Sequence, residues 1–124
     1  MTETTSTALH TALAYYQAWT SHDFDRAMTL IADDIVCHTP AGRLDGADPF
    51  RAFMEPFSQS VTRSALISAF GDDHTAMLMY DTETLLVPSA PGAEFLTVVD
   101  ARITQLRIIF DRAPFIAAHQ AAQR

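Results

Sequence analysis

Four side chains of this 124-residue chain combine a reactive type with a suggestive setting: Asp81, Glu94, His38 and Tyr15. Asp81 and Glu83 lie in the run "TAMLMYDTETLLV", sharing one strand face with Met77, Met79 and Leu85 while Leu78, Tyr80 and Thr82 occupy the other. A carboxylate among apolar neighbours loses hydration, so its pKa rises and it becomes a usable general acid or base near neutrality. The same carboxylate on the solvent face or at a dimer rim would be an ordinary surface charge. His38 and Thr39 end the run "DDIVCHT". Alternation groups Val36 with His38, and Ile35 with Cys37 and Thr39, so only one of His38 and Thr39 faces a cavity unless a bulge intervenes. An inward His38 would move protons at physiological pH; an outward one is a rim residue.

Glu94 depends on one hairpin. A two-residue loop at Asp100-Ala101 pairs Val99 with Arg102 and, counting back, Glu94 with Arg107, a cross-strand ion pair with no catalytic meaning. A three-residue loop sets Glu94 opposite Ile108 on the pocket side. Alanine resists the positive φ that a tight two-residue turn requires, which favours the longer loop, and both registers stay open. Tyr15 and Tyr16 stand about one helical step (100°) apart, so one can face a pocket while the other packs beneath a sheet. A hydroxyl buried there needs a ligand, a water or an acid as partner.

The remaining polar residues have plainer explanations. His22 and His74 fall at turns, His10 and His119 on helices, and no pair has the spacing of a zinc or iron site. Asp111 suits a helix cap. There is no Gly-rich phosphate loop, no GxSxG and no supported cysteine–histidine arrangement. The expectation is therefore no metal and no cofactor.

These residues must be positioned by a run of helices followed by strands. Ala8 to Thr20 carries Leu9, Ala12, Leu13, Tyr16 and Trp19 at amphipathic helical spacing. Asp23 caps a shorter helix with Phe24, Ala27, Met28 and Ile31 as its buried stripe. A strand from Ile35 to Thr39 follows. Asp48-Pro49 starts a third helix, in which Phe50, Phe53, Met54 and Phe57 recur on one side, as core or as a cavity wall. Pro56 should kink or shorten it. Val61–Phe70, His74–Val87, Glu94–Val99 and Arg102–Phe110 read as an antiparallel meander, and Asp111 with Pro114 opens a last helix through Ala121. The layout is α+β, with helices wrapping one face of a curved sheet.

Composition narrows the partners. The chain is acidic, with a formal charge of -7, and its eight basic residues are all arginine. Without a basic patch interleaved with aromatics, nucleic acid and anionic membrane surfaces are disfavoured. The polar start, Met1 to Thr7, lacks the form of a signal peptide, and no apolar run approaches a membrane span. One cysteine, Cys37, cannot form an internal disulfide, which fits a reducing cytoplasm. One domain over 1–124 is expected.

The stretches "YYQAWTSHDFDRAMTLIADD", "GADPFRAFM" and "FLTVVDARITQLRIIFD" resemble the ketosteroid isomerase-like and SnoaL-like members of the nuclear transport factor 2-like superfamily. The resemblance covers nearly the whole chain. It implies a cone-shaped α+β barrel, commonly dimeric, with an apolar pocket between the helices and a concave, mostly antiparallel sheet. Activities in that superfamily include steroid isomerisation, polyketide cyclisation, dehydration and epoxide hydrolysis, and some members only bind or assemble. Residue by residue, Tyr15 matches an oxyanion-hole tyrosine, Glu94 falls near the second oxyanion-hole acid, and Thr39 replaces the isomerases' base, with His38 beside it. For the epoxide hydrolases, Ile108 replaces one acid and Met79 an arginine, while Asp81 falls near the other acid. The resemblance also turns the face carrying Asp81 inward. The expected enzyme is thus cofactor-independent, moving protons on a small apolar molecule with Asp81, Tyr15, His38 and Glu94. Its expected pocket is Trp19, Thr39, Phe53, Phe57, Met79, Ile108 and Phe110. A non-catalytic binding or dimerisation module is the alternative. Apolar residues on both faces of the strands further imply a homodimer.

Overall fold

A computed structural model describes residues 6–123, so most of the polar lead, Met1 to Thr5, lies outside the described residues. The order is α1 (Thr7–Thr20), α2 (Phe24–Met28), β1 (Ile31–Thr39), β2 (Gly42–Asp45), α3 (Ala47–Ser60), β3 (Val61–Gly71), β4 (Thr75–Thr84), β5 (Gly92–Val99), β6 (Arg102–Phe110) and α4 (Ala113–Ala122).

In α1, Ala8, Ala12, Tyr15, Tyr16 and Trp19 form the buried stripe. The β3–β4 turn caps its start: the Asp72 carbonyl accepts from Ala8 N–H at 3.0 Å, while the Asp72 side chain holds the turn through His74 and Thr75 N–H. The Asp23 carboxylate accepts from Arg26 N–H and caps α2 as expected. Ser58 Oγ donates to the Trp19 carbonyl at 2.6 Å, fastening α3 to the end of α1. Pro56 does not shorten α3, which runs on to Ser60. The carbonyl deprived of its donor belongs to Ala52, on the exposed side, where solvent can replace the missing bond. The Asp111 carboxylate accepts from Ala113 N–H at the start of α4.

The six strands form one curved, open, mixed sheet in the order β2-β1-β6-β5-β4-β3. β3 to β6 make the expected antiparallel meander, β1 joins β6 in parallel, and β2 folds back on β1. The helices cover the concave face and complete a cone-shaped α+β fold. Which face they cover follows from β4, where Ala76, Leu78, Tyr80, Thr82 and Thr84 are buried and the intervening residues are exposed. The core joins this face to Trp19, Tyr15, Phe50, Ile35, Leu96, Ile103 and Leu106.

That orientation corrects two placements. Asp81 and Met79 stand on the convex face, with Met79 50% exposed, so neither lies in the cavity. Both faces of β4 carry large apolar side chains, and the helices pack on the set containing Leu78 and Tyr80. The apolar pattern alone could not choose between them.

Candidate active site

An apolar cavity of about 580 Å³ opens between α3, α4 and the ends of β4 to β6. Phe53, Phe57, Ile108 and Phe110 line it, together with Tyr80 and with Phe115 from α4. The aromatic side of α3 is therefore divided: Phe50 belongs to the core, whereas Phe53, Met54 and Phe57 form a wall. Trp19 is fully buried behind that wall, its ring centroid 5.8 Å from Phe57 and 5.2 Å from Tyr80.

The buried end holds a polar pair. Tyr80 Oη donates to Glu94 Oε2 at 2.5 Å. The register explains this contact: Tyr80 lies opposite Gly92, and Glu94 opposite Leu78, so Tyr80 reaches the diagonal neighbour on β5. Gly92 makes room, since a Cβ there would stand 3.0 Å from Tyr80 Cε1 and 3.1 Å from Oη.

Glu94 is inward for a reason neither open register contained. The hairpin has two loop residues, with Val99 opposite Arg102, and Asp100 and Ala101 both take positive φ, 53° and 62°. The resistance of alanine to positive φ did not lengthen the loop. A bulge past Val98 then shifts the ladder by one residue, pairing Thr97 with Gln105 and Glu94 with Ile108. Glu94 thereby escapes the Arg107 pairing and is 0% exposed.

Burial controls the electrostatics here. It pushes the Glu94 carboxyl from its usual 4.5 up to about 7, opposed by the hydrogen bond from Tyr80. Burial, aided by the nearby Glu94 charge, raises Tyr15 and Tyr80 well above the ordinary phenol value. It also pushes Cys37 up to about 12, keeping the thiol protonated and poorly nucleophilic. Tyr15 Oη, Trp19 Nε1 and Glu94 Oε1 are buried without a hydrogen-bond partner among the described residues. Tyr15 thus sits in the same electrostatic neighbourhood as Glu94, although it does not line the cavity.

His38 and Thr39 do not join the group. Thr39 Oγ1 donates to the Gly42 carbonyl and accepts from Ala41 N–H, which commits it to the β1–β2 turn. His38 alternates away from the buried Ile35 and Cys37, between Arg43 on β2 and Arg107 on β6. The short β2 hairpin, absent from the sequence reading, occupies this strand end. Tyr80 is the candidate site residue the sequence reading missed. A tyrosine flanked by Leu78 and Thr82, with a glycine shortly downstream, was the available signal, but only the register puts that glycine across from it.

Among the described residues, no three His, Cys, Asp or Glu side chains gather as a metal site, and no helix is long and apolar enough to cross a membrane.

The cone-shaped fold is similar to that of nuclear transport factor 2-like proteins. A structure of that class from Cytophaga hutchinsonii, of unknown function, is 18% identical, with a TM-score of 0.76 over 94% of this chain and 99% of the other. A SnoaL-like domain model matches residues 12–106, and the chain belongs to that family. A crystal structure of a protein from Kribbella flavida is 67% identical, with a TM-score of 0.90 over 94% of this chain and 96% of the other. An epoxide hydrolase from M. tuberculosis is 18% identical, with a TM-score of 0.71 over 93% and 90%, a likeness of fold. Among curated proteins nothing matches.

Proposed function

We propose that this protein is a cofactor-independent acid/base enzyme acting on a small apolar substrate held in the cavity. The Tyr80–Glu94 pair at the buried end of an apolar chamber carries this reading. A carboxyl with a pKa of about 7 is populated in both forms near neutrality, as a proton-transfer group must be. Protonated Glu94 donates to Tyr80 Oη, freeing the Tyr80 hydroxyl to donate to a substrate carbonyl or leaving oxygen. Ionised Glu94 instead accepts a hydrogen bond from Tyr80 Oη, which turns that hydroxyl away from the substrate.

Exchange of the α-protons of decalone in deuterium oxide, followed by proton NMR, tests this. The wild type should accelerate exchange, and Tyr80→Phe or Glu94→Gln should reduce the acceleration by roughly 10²–10⁴-fold with binding retained. One observation favours a second reading, a binding module: no carboxylate lines the cavity directly. Decalone binding without accelerated exchange would decide for it.

We also propose that the convex sheet face pairs two copies of the chain. Phe70, Met77 and Phe95 are consecutive cross-strand neighbours there and are 73%, 52% and 41% exposed. A cytoplasmic setting agrees with the single cysteine, Cys37, being buried and unpaired.

A further inference from the structure

The cavity has two chemically different ends. Tyr80, 3% exposed, provides the polar group at the buried end, whereas Arg112, His119 and Gln120 on and beside α4 are exposed at the mouth. The walls between are aromatic and aliphatic. No Asp or Glu lines any part of the cavity, although the chain carries 15 acidic residues against eight arginines.

Among the seven described arginines, Arg112 is one of three, with Arg102 and Arg107, that make no ion pair, and it alone of the seven lines the cavity. Arg26, Arg43, Arg51 and Arg63 each stand within 4.0 Å of a carboxylate, while Arg112 has no such partner among the described residues. Even its neighbour Asp111 spends a carboxylate oxygen on the α4 backbone. An unpaired guanidinium at the rim of an apolar chamber matches a carboxylate both in charge and in its forked donor geometry. Pockets of this size fix ligand orientation through a few polar groups in an apolar lining.

We propose that the ligand is an amphipathic carboxylate, its apolar body filling the cavity and its carboxylate held at the mouth by Arg112, with Gln120 and His119 beside it. This rests on the reading of the cavity as a small-molecule site and adds which end of the molecule enters first. The end opposite the carboxylate reaches Tyr80, so any oxygen acted on there is remote from the acid group.

Decanoate, decanol and decyltrimethylammonium, of equal chain length and used below their micelle concentrations, separate the contributions. Calorimetric titration measures affinity, and Trp19 fluorescence reports arrival at the buried end, because this single tryptophan packs on Tyr80 and Phe57. The wild type should bind decanoate at least about tenfold more tightly than decanol and decyltrimethylammonium most weakly, a preference that shrinks at high salt. Arg112→Gln, at an exposed position, should reduce decanoate to the affinity of decanol and leave decanol unchanged. Equal binding of decanoate and decanol by the wild type, or an undiminished preference in Arg112→Gln, overturns the carboxylate assignment while leaving the apolar pocket intact. Failure of all three compounds to bind overturns both the assignment and the pocket reading beneath it.

Discussion

Glu94 gives up hydration at both carboxylate oxygens and recovers one hydrogen bond, from Tyr80. The native protein consequently holds its proton up to about pH 7, whereas an unfolded chain releases it near 4.5. Between those values the folded state binds more protons than the unfolded state, so stability falls as pH rises. The contribution is fully present below about 4.5 and is lost as pH passes about 7. Glu94→Gln cannot ionise, so it should match the wild type closely near pH 4 and be more stable by roughly 1–3 kcal/mol at pH 8. Urea denaturation at the two pH values checks this, and a wild-type stability flat across the window would refute it. Tyr80→Phe acts in the opposite sense on the same group. It removes the hydrogen bond that favours the carboxylate, so the Glu94 pKa should climb further above 7 in a carboxylate-resolved NMR titration.

Among the elements, the pairing of β4 with β5 decides whether the site exists. Gly92 accommodates the Tyr80 side chain, and Gly92→Ala would place a methyl 3.0–3.2 Å from two ring carbons and the hydroxyl oxygen. On one side Tyr80 is packed against Tyr16 and Trp19; on another it borders the cavity, into which it can yield. The substitution should therefore cost little stability, within about 1 kcal/mol, because restricting the unfolded chain offsets part of the strain. Its larger effect is on the diagonal contact. A ring displaced by a few tenths of an ångström lengthens the bond to Glu94, so Gly92→Ala should raise the Glu94 pKa as Tyr80→Phe does. An unchanged pKa in Gly92→Ala would show that the glycine does not position Tyr80.

For the whole molecule, the unresolved balance is between the two faces of the sheet. One face is covered by α1 and α3, while the other presents Phe70, Met77, Phe95 and Ile109 to solvent. Soluble monomers rarely leave so contiguous an apolar surface open. The proposed homodimer covers it, and Met77→Asp would place a charge at the centre of that contact. Sedimentation should give a dimer for the wild type at micromolar concentration and a monomer for Met77→Asp, with the thermal transition still cooperative. A wild type that sediments only as monomer would remove the dimer. His38, beside Arg107 on this same convex side, then belongs to the rim of the contact, away from the cavity.

Local rules in the chain were sufficient for most elements. The apolar spacing of Tyr16 and Trp19, the cap at Asp23, and the alternation from Arg102 to Phe110 each produce their helix or strand through interactions spanning a few residues. The aromatic side of α3 was legible for the same reason, because Phe53 and Phe57 lie one helical turn apart, but whether it forms core or cavity wall was not. Which face of β4 turns inward was different. Met77 and Met79 are as able to fill a core as Leu78 and Tyr80, so only helix packing could select Tyr80 and expel Asp81. The fate of Glu94 likewise rested on one residue of slippage. A bulge in β6, many residues away in sequence, moves Glu94 from an ion pair with Arg107 to burial opposite Ile108. Side-chain direction in a strand reverses with every residue, so a single shift in register exchanges surface for interior. The sequence by itself determined most elements and the apolar stripes of the helices; tertiary pairing and packing decided the inward face of β4 and which acid was buried.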